Sequence, residues 1–413
     1  ILGRSTNDYD ITTNATPSEM LGLFGGYEIS DCGIKHGTVC VIICGHMVEI
    51  TTFRKDVGYD DNRHPNKVFF ANNLEDDLAR RDFTINAMAY SQQTGIVDIF
   101  GGINDIEKGI IRCVGDPVVR FNEDALRIMR CVRFSSQLGF NIERSTYEAM
   151  EQCKQNIAFL SKERILSELY KTLCGDFVAD TMLKNRDIIF EIIPELKPAD
   201  GFNQNSPYHI YDVFEHTIRT IPHVPKDNAL RLTMLLHDIG KPVTYTEDKN
   251  GIGHFYNHGK KGEEISKKIL DRLRVSNNDK KLILTLIRYH SDVITDEKSN
   301  IKTWLKILGK EDFIRLLHVR YADCMAKERE TSKQNLLYLS KICAVFKDIM
   351  DNDECYCIKQ LSINGDDILN LHICPPQKIG QLLDFALNAV IEERAENKKD
   401  NLIRYIKKLG NMV

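Results

Sequence analysis

The sequence predicts an α+β fold, in which a small mixed β-sheet near the N-terminus is followed by an all-helical remainder. Residues 1 to about 115 alternate strand-like and turn-like stretches, and "GTVCVIICG" and "HMVEITTF" predict adjacent strands separated by Gly45. From "DPVVRFNEDALRIMRCVRF" onwards, the apolar residues recur at the helical period. The stretch "PELKPADGFNQNSPYH" is rich in Pro, Asn and Gly and predicts a linker between two helical blocks.

Shorter stretches complete this outline. "VFFANN" and "GIVDIFGG" predict further short elements, and "DFTINAMAYS" predicts a helical segment. Leu126, Met129, Val132 and Phe134 give the next helix its apolar stripe, and "KERILSELYKTLCG" predicts a helix that ends near its glycine. A second helical block, from about residue 208 to 330, carries most of the histidines, and the remaining residues are also predicted to be helical.

Composition narrows the class of protein. A chain of 413 residues with 42% hydrophobic and 28% charged residues has enough apolar material for globular cores. Its apolar runs are shorter than about 18 residues, so neither a spanning helix nor a membrane partner is predicted. The twelve cysteines have no paired spacing, which is typical of reduced thiols and predicts a cytoplasmic location. A net charge of −4 disfavours indiscriminate coating of nucleic acid but permits a local basic face.

Two aspartates one residue apart, Asp8 and Asp10, lie in "GRSTNDYDITT" near the start of the chain. If this segment is a strand, its two-residue period directs both carboxylates to one face. Such hard oxygen ligands suit Mg²⁺ together with substrate phosphates. Glu49, in "VEITTFR", is the natural third carboxylate of a two-metal phosphoryl-transfer site. The alternatives are a polar loop for the aspartates and an exposed strand position for Glu49.

Two further groups of residues indicate nucleotide chemistry. Adjacent Arg80 and Arg81 in "RRDFTINAMA" suit a triphosphate and the charge that develops on leaving pyrophosphate, although surface salt bridges use the same pattern. Asp124 and Arg127 in "RFNEDALR" are spaced i, i+3, so on a helix they share a face. An acceptor beside a donor matches the pairing edges of cytosine and adenine and rejects uracil and guanine. The alternative is an ordinary helix salt bridge.

In this order, "LGRSTNDYDITT", "VEITTFR", "RRDFTINAMA" and "GGINDIEKGIIRCVGDPVVRFNEDALRIMRCVRFSSQLGF" closely resemble the class II tRNA nucleotidyltransferases and their bacterial poly(A) polymerase relatives, of the polymerase-beta-type superfamily. The resemblance covers about the first 175 residues. It implies a head in which Asp8, Asp10 and Glu49 are catalytic, with Asp8 and Asp10 as the Mg²⁺ ligands, and a helical neck that reads the incoming base. The nucleotide-binding residues it implies are Gly3, Arg4, Arg81, Asp82, Asn86, Asp124, Arg127, Arg130 and Arg133.

The second helical block resembles an HD domain, a family of metal-dependent phosphohydrolases. Its pattern H…HD…D is matched by "FEHTI", "MLLHDIGKP" and "RYADCMA". Imidazole and carboxylate groups together suit a catalytic transition metal that keeps open positions for water. The expected ligands are His216, His237, Asp238 and Asp323, with His258 and His290 as candidates for a second ion.

The resemblance favours full CCA addition to the 3′ end of tRNA from CTP and ATP. The stretch "FRKDVGYDDNRHPNKVFF" resembles the flexible loop of relatives that add the terminal A, and "RFNEDALR" is closer to the CCA-adding than to the poly(A) pattern. The rivals are a poly(A) polymerase of the same fold, an HD phosphohydrolase with a non-functional head, and a non-enzymatic RNA-binding protein. Members of the family carry a Gly-Gly-x-Val-Arg-Asp motif immediately before the stretch that matches the start of this sequence at Ile1. We therefore expect the sequence to be N-terminally incomplete.

Four domains are expected. They are the nucleotidyltransferase head over residues 1–117, the neck with its base-reading motif over 118–200, the HD domain over 201–330 and a helical tail over 331–413. The neck and tail are expected to bind tRNA through its shape and its phosphates. The sequence leaves the oligomeric state and the HD metal open.

Overall fold

The chain forms two compact units. The structure, a computed structural model, describes residues 1–3, 10–30, 33–34, 37–59, 65–71, 73–373 and 375–410. The first unit comprises Ile1–Lys197 with Arg272–Arg274, and the second comprises Pro198–Asp271 with Val275–Val413. The first unit mixes helices and strands and the second is almost wholly helical, which confirms the predicted α+β class. The division into four domains remains a prediction.

A mixed four-stranded sheet forms the N-terminal part of the first unit. Its elements are β1 (Asp10–Thr13), α1 (Pro17–Leu23), β2 (Glu28–Ser30), β3 (Thr38–Ile43) and β4 (His46–Thr52). The strand order is β1-β4-β3-β2, with β1 parallel to β4 and the other pairs antiparallel. As predicted, β3 and β4 form a hairpin; Cys44 and Gly45 take the positive φ values, 51° and 79°, that favour a tight two-residue turn. Met20 of α1 packs with Val39 and Val41 of β3.

Two short hairpins follow the sheet. The next elements are β5 (Arg54–Tyr59), β6 (Pro65–Phe70), α2 (Leu74–Ala79), β7 (Met88–Ser91) and β8 (Gly95–Asp98). β5 and β6 pair antiparallel within the stretch that resembled a flexible loop, where β-branched and aromatic residues favour strands; residues 60–64 lie outside the described chain. The helix predicted for "DFTINAMAYS" is wrong. Thr84–Asn86 form a single 3₁₀ turn, held by a 2.7 Å hydrogen bond from Thr84 Oγ1 to Asp105, and β7 then pairs with β8.

Helices complete the first unit. The remaining elements are α3 (Gly102–Lys108), β9 (Ile110–Ile111), α4 (Pro117–Glu123), α5 (Leu126–Leu138), β10 (Asn141–Ile142), α6 (Arg144–Cys153), α7 (Lys162–Leu173), α8 (Val178–Lys184) and α9 (Arg186–Ile192). α5 buries Leu126, Met129 and Val132 of the predicted stripe, and Phe134 is half-buried.

Asp124 separates α4 from α5, whereas the predicted i, i+3 pair of Asp124 and Arg127 required a single helix. Its backbone is extended, with φ −148° and ψ 103°, and its carboxylate accepts a 3.0 Å hydrogen bond from the Leu126 amide.

The second unit is built mainly from helices. Its elements are α10 (Val213–Thr220), α11 (Asn228–Leu236), α12 (Lys241–Thr244), β11 (Thr246–Glu247), β12 (Gly253–His254), α13 (His258–Arg272), α14 (Asn277–Tyr289), α15 (Lys298–Met325), α16 (Arg329–Asp351), α17 (Gly365–Leu369), α18 (Ile379–Ile391) and α19 (Lys399–Gly410). The predicted linker begins with a 3₁₀ turn at Pro194–Ala199 and stays irregular until α10. The last three helices enclose a separate apolar core that includes Ile368, Leu387 and Leu402. Among the described residues, no helix combines the length and the apolar character that crossing a membrane requires.

Candidate functional site

Two of the predicted catalytic carboxylates share one face of the sheet. Asp10, the first residue of β1, is in register with Glu49 of the parallel strand β4, and both residues are exposed. Residues opposite each other in paired strands project to the same face. Asp8 and Arg4 lie outside the described residues. Gly3 is exposed and has a φ of 63°.

Asp10 also borders a polar cavity of about 520 Å³ in the first unit. The cavity is lined by Asp10, Ile11, Thr12, Thr38, Thr51, Arg54, Arg80, Arg81, Asp82, Asn86, Arg127 and Arg130. Six residues of the predicted site therefore meet here, namely Asp10, Arg81, Asp82, Asn86, Arg127 and Arg130. Five arginines around a space of this size supply the charge and the paired donors that a triphosphate requires.

A buried aspartate that the sequence analysis missed holds two of these arginines. The Asp77 side chain in α2 is fully shielded from solvent and accepts hydrogen bonds from Arg80 Nη2 at 2.7 Å and Arg81 Nη2 at 3.4 Å. Its Oδ2 atom also lies 3.5 Å from Thr12 Oγ1 of β1. The signal was in the sequence, because Asp77 precedes Arg80 and Arg81 by three and four residues, the spacing of side chains that meet on a helix.

Asp82 organises the opposite part of the cavity lining. Its Oδ1 atom accepts hydrogen bonds from the Phe83 amide at 2.9 Å and from Asn86 Nδ2 at 3.2 Å. Its Oδ2 atom accepts one from Arg130 Nε at 2.5 Å. The nearly buried carboxylate therefore fixes the directions of both Asn86 and Arg130.

Asp124 and Arg127 do not form the pair on one helix that their spacing indicated. Asp124 precedes α5, and its Oδ2 atom lies 2.7 Å from Arg164 Nη2 of α7. Arg127 lies in the first turn of α5 and donates from Nη1 to Glu123 at 2.5 Å and from Nη2 to the carbonyl of Arg80 at 3.1 Å. The structure therefore holds the two residues through different partners, and Arg127, but not Asp124, lines the cavity.

Arg133 departs from the predicted nucleotide site. It is buried, donates from Nη1 to Glu168 Oε1 at 3.0 Å and lies over the Phe134 ring at 4.2 Å. Burial lowers the pKa of Arg133, and Glu168 opposes this shift. Three-residue steps along a helix drift by about 60° each, so Arg133 lies about 120° around α5 from Arg127. Arg133 thus forms an ion pair with Glu168 and does not line the described cavity, and its role in nucleotide binding stays a prediction.

In the second unit, the predicted HD residues form two clusters. His216, His237, Asp238 and Asp323 have ligand atoms that all lie within 4.8 Å of one another, and so do Asp238, His258 and His290. His216 Nε2 lies 3.0 Å from Asp323 Oδ1 and 3.5 Å from Asp238 Oδ2. Asp238 Oδ1 lies 3.6 Å from Nε2 of both His258 and His290. The two oxygens of Asp238 thus face different clusters.

The backbone sets the histidines in the tautomer that a metal ion needs. The Nδ1 atoms of His237, His258 and His290 each lie 2.7 Å from the carbonyl oxygen three residues earlier. A proton on Nδ1 leaves Nε2 with a lone pair directed at the cluster. His237 Nε2 is buried and makes no hydrogen bond to a described residue, so the ligand set fits a metal ion.

Two lysines neutralise the carboxylates of these clusters. Lys241 Nζ lies 2.7 Å from Asp238 Oδ2, and Lys327 Nζ lies 2.6 Å from Asp323 Oδ2. Burial opposes ionisation of Asp238, but the charge that His237 carries when it is protonated, together with Lys241, outweighs burial and holds the pKa of this carboxyl well below its usual value when no metal ion is bound. Burial likewise opposes ionisation of Asp323, and Lys327 with His216 holds its pKa well below the usual value. Both carboxylates are therefore charged at neutral pH.

Gly240 lets the two clusters approach each other. A Cβ atom at this position would lie 2.2 Å from the carbonyl oxygen of His258 and 2.7 Å from the amide of Gly262. No side chain fits there, since carbon and oxygen atoms normally stay more than 3 Å apart. The glycine after His237 and Asp238 thus places the start of α13, with His258, against the HD turn.

Family comparisons match both the part of the chain with the arginine-lined cavity and the part with the HD clusters. The chain matches a Poly A polymerase head domain over residues 1–112, a probable RNA and SrmB-binding site of polymerase A over 139–200, and an HD domain over 208–338. Together with the two sites, these matches define a nucleotidyltransferase of the poly(A) polymerase type that carries an HD domain.

Relatives identify the family within this class. The chain is 35% identical over 416 residues to a CCA-adding enzyme of Staphylococcus saprophyticus, covering 98% of this chain and 91% of the relative. It is 32% identical over 421 residues to a CCA-adding enzyme of Staphylococcus haemolyticus, covering 98% and 90%. The crystal structure of the Bacillus stearothermophilus CCA-adding enzyme in complex with CTP superposes with a TM-score of 0.72 at 28% identity, covering 100% of this chain and 90% of that one. The chain belongs to the family of CCA-adding enzymes and is a tRNA nucleotidyltransferase, a class that uses divalent metal ions.

Proposed function

We propose that the chain adds C, C and A in turn to the 3′ end of tRNA, using CTP and ATP and releasing pyrophosphate without a nucleic-acid template. The observation that carries the proposal is the cavity in which Asp10 meets five arginines, because carboxylate and guanidinium groups together are what a metal-bound triphosphate requires. The Bacillus stearothermophilus relative binds CTP, which supports CTP as a substrate here.

Asp8, Asp10 and Glu49 are the proposed Mg²⁺ ligands. The register of Asp10 with Glu49 supports this assignment, since it provides two hard oxygen donors on one face of the sheet. Mg²⁺ bound there would lower the pKa of the attacking ribose hydroxyl and stabilise the leaving pyrophosphate. Gly3 and Arg4 are proposed to approach the triphosphate from the turn before Asp8.

The arginines of the cavity are proposed to bind and orient the triphosphate. Arg80 and Arg81 are preorganised by Asp77, so that little side-chain freedom is lost when phosphate binds. Asp82 holds Arg130 and Asn86 for contacts with the sugar and phosphates. Fixed donors of this kind act most strongly on charge that develops during the reaction.

Asp124 and Arg127 are proposed to select the base. A hydrogen-bond acceptor and a donor side by side satisfy the pairing edges of cytosine and adenine, and leave polar groups unpaired against uracil or guanine. Each residue has its own anchor, Arg164 for Asp124 and Glu123 for Arg127. Base selection would therefore depend on both anchors, since each holds one of the two side chains in place before the base binds.

The helices after the head are proposed to bind tRNA through its shape and its phosphates. The protein is proposed to act in the cytoplasm. No disulfide joins two cysteines within the part of the chain that the structure describes, which supports a reducing compartment.

Product length tests the proposal. The protein would be incubated with a tRNA that ends at its discriminator base, Mg²⁺, CTP and ATP, and the products resolved at single nucleotides. We expect three added nucleotides and then a stop. A long ladder of A residues would instead identify a poly(A) polymerase, and a stop after two C residues would contradict the assignment of terminal A addition.

The HD clusters favour a second reaction, hydrolysis of a phosphate ester. His216, His237, Asp238 and Asp323 would hold one transition-metal ion, and Asp238, His258 and His290 would hold a second. Ions so placed supply an activated water and stabilise the charge on the phosphoryl group. Release of phosphate from simple esters in the presence of Mn²⁺ or Ni²⁺, and its loss with a chelator, tests this reaction separately from CCA addition.

A further inference from the structure

The HD domain contains an arginine, Arg320, that makes no hydrogen bond to the proposed metal ligands in the part of the chain that the structure describes. A cavity of about 490 Å³ borders the two HD clusters, and Arg320 of α15 lines it. The Nε and Nη2 atoms of Arg320 are shielded from solvent and have no hydrogen-bond partner among the described residues. A guanidinium carries five N–H donors in a rigid plane, so these buried donors require an acceptor that the described side chains do not supply.

The lysines of the same cavity are already occupied. Lys241 Nζ lies 2.7 Å from Asp238 Oδ2 and 2.8 Å from Gln204 Oε1. Lys327 Nζ lies 2.6 Å from Asp323 Oδ2. Both lysines therefore neutralise carboxylates of the metal clusters, whereas the Nε and Nη2 donors of Arg320 have no such partner among the described residues.

The position of Arg320 relates it to the metal centre. It precedes Asp323 by three residues in α15, so the two side chains lie on the same face of the helix, about 4.5 Å apart along its axis. A tetrahedral anion held at Asp238 and Asp323 by metal ions has further oxygens that project away from those ions. The fork of an arginine one helical turn away is suited to bind two of them.

We propose that Arg320 forms a phosphate subsite of the HD cavity, which binds the phosphate dianion of an ester substrate or of its product. This inference deepens the HD activity proposed above and rests on that activity for the metal centre, but the binding step itself requires no hydrolysis. Arg320 is a substrate-binding residue in this proposal, and the shared ligand chemistry is a phosphate group, whether it belongs to a nucleoside monophosphate or is free inorganic phosphate.

Calorimetric titration of the full chain tests the subsite. Inorganic phosphate and AMP would each be titrated into the wild type, Arg320→Gln, Arg320→Lys and Arg315→Gln, with and without Mn²⁺. Arg315 is the matched control, because it lies on the same helix, is half-exposed and pairs locally with Asp312 at 2.7 Å. The head arginines are identical in all four proteins, so differences between them report on the HD cavity.

We expect Arg320→Gln to weaken one phosphate site at least tenfold, Arg320→Lys to weaken it less because the charge is kept, and Arg315→Gln to match the wild type. AMP that follows the same order identifies a nucleotide phosphate as a ligand, whereas an effect on inorganic phosphate alone identifies the product site. Equal phosphate affinity in the wild type and Arg320→Gln, or no phosphate binding in the wild type, would overturn the proposal.

Thermal unfolding separates this role from a merely structural one. If Arg320 served packing alone, Arg320→Gln would lower Tm and leave the phosphate affinity unchanged. In the phosphate subsite, removal of an unsatisfied buried charge should leave Tm unchanged or higher in phosphate-free buffer. Added phosphate should then raise Tm in the wild type more than in the variant. If the wild type bound phosphate at this site but hydrolysed no ester, the proposed HD hydrolysis would be contradicted, while the proposed phosphate subsite would stand.

Discussion

Asp124 and Arg164 form a two-point ion pair between α7 and the start of α5. Nη2 of the arginine lies 2.7 Å from Oδ2 of the aspartate, and Nη1 lies 3.3 Å from Oδ1. The two residues are 40 positions apart in the chain, and α7 packs directly on α5. The pair fixes the direction of Asp124 at the break between α4 and α5. A residue outside the nucleotide cavity therefore holds one half of the proposed base reader.

Replacing Arg164 should relax base selection. Arg164→Ala removes both guanidinium contacts of the Asp124 carboxylate and leaves its hydrogen bond from the Leu126 amide. We therefore expect discrimination in favour of CTP and ATP over UTP and GTP to fall about tenfold, the equivalent of ~1.4 kcal/mol. Single-nucleotide kcat/KM values for the four triphosphates measure the effect. Arg144→Ala, which removes an exposed pair with Glu148, should change nothing. Unchanged discrimination in Arg164→Ala would show that Asp124 needs no such anchor.

The charge of Asp77 should be needed for triphosphate binding. Asp77→Asn keeps the shape but loses the charge that orients Arg80 and Arg81, so we expect KM for CTP to rise by about tenfold to a hundredfold. Stability should fall by about 1–3 kcal/mol, since the carboxylate is buried while both arginines are partly exposed. Steady-state kinetics and urea unfolding measure the two effects. Glu75→Gln, an exposed change in the same helix, is the control, and an Asp77→Asn enzyme with normal KM would contradict the role.

Local patterns in the sequence predicted the parts of the fold that depend on neighbours in the chain. The β3–β4 hairpin follows from a short, β-branched apolar run and a glycine turn. His216, His237, Asp238 and Asp323 were recognisable from their resemblance to the HD pattern, and His258 and His290 from their ligand chemistry. The structure gathers all six residues into two clusters.

The parts that sequence patterns did not reveal depend on contacts between distant residues. Thr84 bonds Asp105 where a helix was predicted, and Arg164 pairs with Asp124 at the break between α4 and α5. Neither partner lies within a helical turn of its target. Sequence periodicity predicts which face of a helix or strand a residue occupies. It does not predict which side chain from a distant part of the chain contacts that face.

Gly240 should be indispensable for the HD site. In Gly240→Ala the new Cβ would meet the His258 carbonyl oxygen at 2.2 Å, so we expect a loss of about 3 kcal/mol or more in stability, with weakened binding of metal ions. Gly380→Ala is the matched control, since its Cβ meets nothing within 4 Å in α18 and the change should stabilise by about 0.4–1 kcal/mol. Chemical unfolding and metal analysis after dialysis measure both. A Gly240→Ala protein as stable as Gly380→Ala would show that the HD turn can move away from α13.

The two sites should be separable by single substitutions. Asp10→Asn removes a proposed ligand of the head, so CCA addition should fall by at least a thousandfold, while hydrolysis by the HD centre should persist. His237→Ala removes a ligand of the HD cluster and should abolish hydrolysis and lower the content of bound transition metal, while nucleotide addition should persist. Both activities would be measured on the same preparations, together with thermal unfolding. Each substitution lies in a different compact unit of the chain, so a change that removed both activities without unfolding the protein would show that the two sites depend on each other.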